Sequence, residues 1–93
     1  MEKKKNMGRF LKGLSETGLF PMYLISLISA DTLLTVEDCN RSEAELLELQ
    51  EAIPDSEIEK KEYWLERVGD SLKIVRENRK IFEKALKDFK KRK

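Results

Sequence analysis

Ninety-three residues leave room for one small domain, and a 40% hydrophobic share with a net charge of +1 excludes a disordered polyelectrolyte. The single cysteine, Cys39, cannot close an internal disulfide, and histidine is absent altogether. That removes the commonest metal ligand and the commonest general base, so the chain is expected to be non-catalytic and to use no cofactor or metal.

High Glu and Lys content with four Gly and two Pro predicts an all-α fold. Residues 1–6 are a charged leader, expected to be mobile. Met7, Phe10, Leu11 and Leu14 then recur at i, i+3, i+4 and i+7 with Arg9 and Lys12 between them, which predicts a short amphipathic helix over about 7–15. Such a helix is too short to persist unless it docks. Two roles are open to it: a flap over the end of the core, or a surface anchor for a membrane or a partner groove. Lys3–Lys5 ahead of the uncharged run 17–30 has a signal-peptide flavour, but Arg9, Lys12 and Glu16 interrupt it. A cytoplasmic, reducing setting fits better. The run is also shorter than the ~20 residues a bilayer span needs.

Gly18 suits the position after a helix end, and Pro21 suits the first turn of the next helix. After Pro21 the sequence has neither Gly nor Pro up to residue 53, leaving room for one long helix over 21–53. Its candidate seam runs Ile25, Ile28, Thr32, Val36, Cys39, Glu43, Leu46, Gln50 and Ile53. Thr35 with Asp38, and Ser42 with Glu45, both resemble capping boxes, and 29–35 is poor in helix formers. The stretch is therefore either one helix or two, broken somewhere in 29–42.

Pro54 marks the clearest turn, and Ser56 with Glu59 is a third capping box, predicting a second long helix over 56–91. Its seam is Ile58, Lys61, Leu65, Val68, Leu72, Val75, Arg79, Phe82, Leu86 and Phe89. A turn this short places the two arms antiparallel, as a helical hairpin. Arg79 on the seam either reaches an acid at the core edge and sets register, or binds an anion.

A lone hairpin cannot cover every apolar residue. Ile74, Ile81 and Ala85 line a second stripe on the last helix, and Trp64 lies beside Leu65 and Val68. These four are the candidate protein interface, with a homodimer forming a bundle as the expected assembly.

Charge is segregated along the chain. Residues 31–62 hold three basic and eleven acidic groups, and residues 63–93 eleven basic and five acidic. Lys84, Lys87, Lys90, Lys91, Arg92 and Lys93 form a basic pole, a candidate contact for nucleic acid or another anion, though no nucleic-acid-binding motif is legible. Helix-dipole complementarity, with acids near a helix start and bases near its end, is the competing account of that pattern. No Gly-rich phosphate loop, nucleophile elbow or zinc-protease motif is present, and no small-molecule substrate is expected. The expected function is a protein interaction or assembly role through self-association. Nucleic-acid association through the basic pole, and membrane association through Met7, Phe10, Leu11 and Leu14, are the alternatives.

Overall fold

A computed structural model of the chain describes residues 2–91, with side chains from residue 7 onward. Among these residues the secondary structure is all helical: α1 (Glu2–Thr17), α2 (Phe20–Ile28), α3 (Val36–Ala52), a 3-10 turn at Ile53–Asp55, and α4 (Lys61–Lys91). The molecule measures 53 × 25 × 19 Å. At 1.5 Å per residue, the 31 residues of α4 run for about 46 Å along that long axis. The 17 residues of α3 cover only about 26 Å. That mismatch organises everything below.

α1 ends where Gly18 adopts φ 73°, a left-handed conformation that only glycine enters without strain. The Leu19 amide then donates to Leu14 O at 3.0 Å and the Gly18 amide to Ser15 O, satisfying two orphan carbonyls. Nothing lies within 4 Å of a methyl added at Gly18, so the conformation alone sets the cost there. Gly69, inside α4, is equally roomy but helical. Gly18→Ala is therefore expected to destabilise by about 1 kcal/mol. Gly69→Ala is expected to stabilise by about 1 kcal/mol. Paired thermal melts, moving in opposite directions for the same chemical change, check both.

Pro21 lies in the first turn of α2, where its missing N–H costs nothing. Phe20, Leu24 and Leu27 share one face of that helix and are buried. Residues 21–53 form two helices rather than one. Thr32 and Leu33 amides both donate to Ser29 O at 3.0 Å, and the Thr32 hydroxyl donates to Ser26 O at 2.6 Å. These local bonds compete successfully with helix continuation. Leu33, 4% exposed, pins the link to the core. Thr35 then starts α3, its Oγ1 accepting from the Asp38 amide at 3.1 Å.

α3 buries Cys39, Ser42, Leu46, Leu49 and Ala52, with Ile53 following. Its inner face is rotated slightly from the expected seam, taking Ser42 and Leu49 and leaving Gln50 exposed. Ile25, expected on the seam of the first arm, is also exposed, because α2 turns Leu24 and Leu27 inward instead.

The start of α4 departs from the expected capping box. Ser56 Oγ donates back to Ile53 O at 2.6 Å, closing the 3-10 turn rather than opening a helix. The chain then passes through Ile58, which is buried, and Lys60, which takes φ 57°. Helix begins at Lys61, whose ammonium donates to Pro54 O.

α3 packs along α4 in the opposite direction, with Asn40 and Glu43 beside Arg79 and Arg76. Val68, Leu72 and Val75 of α4 enter the core, joined by Leu11 of α1 and Phe20 of α2. Phe20 stacks face to face on Trp64, centroids 4.3 Å apart and rings 5° from parallel. One core therefore joins all four helices.

Candidate functional site

The seam of α4 changes character along its length. Val68, Leu72 and Val75 are buried, Arg79 and Phe82 are half-buried, and every residue from Glu83 to Lys91 is exposed. The cause is the late start of α3, whose first residue, Val36, comes level with Phe82 and Leu86. Leu86 and Phe89, expected to face the chain's own first arm, are instead 52% and 62% exposed. A shallow groove of about 290 Å³ lies there, with Leu34, Thr35 and Val36 on one wall and Phe82, Ala85, Leu86 and Phe89 on the other.

Around the helix from that groove runs the second stripe. Ile74 is 39% and Ile81 63% exposed, and Ala85 is exposed between stripe and groove. Trp64 does not join them as a free side chain. It is half-buried, committed to Phe20 on one side and to the edge of Tyr63 on the other. The sequence placed Ile74, Ile81 and Ala85 on one stripe, and the structure keeps them together on the surface.

Where this surface begins, a charged clamp holds α3 to α4. Arg79 donates to both Glu43 oxygens, Nη1 to Oε1 at 2.6 Å and Nη2 to Oε2 at 3.1 Å. Arg76 Nε donates to Oε2 at 2.8 Å, and Asn40 Oδ1 accepts a further bond from Arg79. The acid met by Arg79 is thus Glu43, itself a seam position of the first arm. Two guanidinium groups hold its carboxyl well below the ordinary carboxylate range, down to about 2. Arg79 directs three of its N–H donors at α3, the acid contact that its seam position suggested.

The α1 residues divide. Leu11 is wholly buried, and Met7 and Leu14 pack against the core. Phe10 is partly exposed but lies edge-on to Tyr23 at 4.9 Å. The face offered to a membrane or a partner groove is thus turned mostly inward. Tyr23 in turn donates to Glu45 Oε2, and burial with that neighbouring carboxylate pushes its phenol up to about 12.

No known protein family, characterised protein or solved structure matches this chain.

Of the basic pole, Lys84, Lys87, Lys90 and Lys91 are all exposed on the last turns of α4. Arg92 and Lys93 lie outside the described residues, as do the side chains of Lys3–Lys5. Leu19 at the N-cap of α2, and Met22 and Ile25 within it, are also exposed apolar residues, which periodicity did not single out because Ile25 fitted the seam. Cys39 is fully buried, and desolvation pushes its thiol up. Among the described residues no cluster of acids and cysteine is placed to hold a metal ion, and no helix is long and apolar enough to cross a membrane.

Proposed function

We propose that this chain is a non-catalytic protein-interaction protein that self-associates as a homodimer through the exposed face of α4. One observation carries the reading. Ala85 lines the apolar groove with Phe82 and Leu86, and Ile81 one turn before it and Ile74 two turns before that are exposed on the same side of a helix that outruns α3. Scattered exposed apolar residues are ordinary, but a contiguous apolar strip flanked by charge is what interaction sites present. A buried, unpaired Cys39 is consistent with a reducing, cytoplasmic setting.

Sedimentation equilibrium is expected to show association in the micromolar range. Ile81→Asp is expected to shift the chain to monomer with unchanged helical circular dichroism, because Ile81 touches the solvent and not the core. A strict monomer at high micromolar concentration would sink the proposal.

A further inference from the structure

We infer that two copies meet antiparallel along α4, about a twofold axis lying between Glu77 and Asn78. The inference rests on the self-association proposed above and adds its direction and register.

Direction follows from charge. Residues 76–91 carry Arg76, Arg79, Lys80, Lys84, Lys87, Lys90 and Lys91 against Glu77, Glu83 and Asp88. The preceding part of α4 and its approach carry Glu57, Glu59, Glu62, Glu66 and Asp70 against Lys60, Lys61, Arg67 and Lys73, and are close to neutral. A parallel pair stacks the basic turns of one copy on the basic turns of the other. An antiparallel pair lays them against the charge-balanced start of the partner helix, where Glu66 and Asp70 offset Arg67 and Lys73.

Register follows from the stripe. Arg67, Ile74, Ile81 and Asp88 are spaced by seven and share one side of the helix, all four exposed. With the axis between Glu77 and Asn78, Ile74 of each copy faces Ile81 of the other, and Arg67 of each faces Asp88 of the other. Moving the axis to Ile81 sets Ile74 against Asp88. Moving it to Ile74 sets Ile81 against Arg67. Only the central register joins isoleucine to isoleucine and cation to anion, each twice. In that register Lys73 of each copy comes level with Phe82 of the other and Lys84 with Ser71, so neither lysine is set against a like charge at its own level.

The same register resolves the length mismatch. The exposed turns Glu83–Lys91 of one copy fall beside residues 64–72 of the other, where α4 is backed by Phe20 through Trp64 and by the buried Val68 and Leu72. Each copy then supports the stretch of α4 that its partner's α3 does not reach. The contact is isologous and closes at two copies.

Spin labels on Lys91→Cys measure the direction, since buried Cys39 stays out of reach of brief labelling. The antiparallel register separates the two labels by roughly 40 Å along the helices. A parallel pair brings them to helix-contact distance, roughly 10–20 Å with the label arms. Charge exchange measures the register: Arg67→Asp and Asp88→Arg are each expected to weaken the dimer about three- to tenfold, and the double variant to restore it. A dimer with short label distances, or without rescue, overturns this inference while leaving self-association intact. A monomer overturns both.

Discussion

Phe20→Ala is expected to be the most damaging single substitution outside α4, costing about 3–5 kcal/mol. Phe20 is 1% exposed and stacks on Trp64, so its removal empties a ring-sized volume where α2 meets α4. The site has little means of collapse, because Leu24, Leu27 and Leu11 are already buried around it. Domains of this size hold roughly 5–15 kcal/mol in total. A loss of 3 kcal/mol lowers Tm by roughly 12–24 °C, and thermal denaturation followed at 222 nm reads it directly. Phe20→Leu, which retains most of the volume, is expected to cost much less, under about 2 kcal/mol. Equal losses for the two variants would mean that the stack does not anchor α2.

The second large effect concerns Glu43. Its carboxyl titrates near 2 in the fold against 4.5 for the ordinary group, so folding favours the charged form. That contribution is whole above pH 4.5 and disappears as pH falls towards 2. The side chain is 19% exposed, which limits screening, and the clamp is expected to contribute about 1–3 kcal/mol. Glu43→Gln should therefore lower stability near pH 7 by that amount. As pH falls through 2 the variant and the parent should converge. Urea titrations at both pH values decide it, and a gap that persists undiminished at low pH would show that lost packing, not lost charge, explains the variant. Arg76 remains beside Glu43 when Arg79 is replaced, so Arg79→Met should be milder than Glu43→Gln.

Much of the fold was legible because its signals are local. The Gly18 stop, the Pro21 start, the Thr35 cap and the turn at Pro54 each need only a few neighbouring residues. The all-α class followed from composition and 3.6-residue periodicity. The extent of the surface was not legible in the same way. Phe82, Leu86 and Phe89 repeat with the same spacing as Val68, Leu72 and Val75, and periodicity reports which side of a helix is apolar, not where its neighbour stops. Ser56 and Glu59 matched a capping box, yet Ser56 Oγ bonds Ile53 O, a choice made by the adjoining 3-10 turn. Trp64 looked surplus because its partner, Phe20, lies 44 positions earlier in the sequence. Arg79 and Glu43 were each visible as polar seam residues, and only tertiary register paired them.

The link between α2 and α3 acts as a ruler for a surface it helps only to edge. Its hydrogen bonds end α2 at Ile28 and postpone the next helix to Val36. Were the helix continuous, its earlier turns would lie over the last turns of α4, and the apolar strip would be sealed inside one molecule. The dimension of the exposed face is therefore encoded in seven residues, 29–35, whose conserving bonds run among Ser26, Ser29, Thr32 and Leu33. Substitutions there trade surface against interior, altering how much of the molecule is available to others without touching the helix that carries the strip.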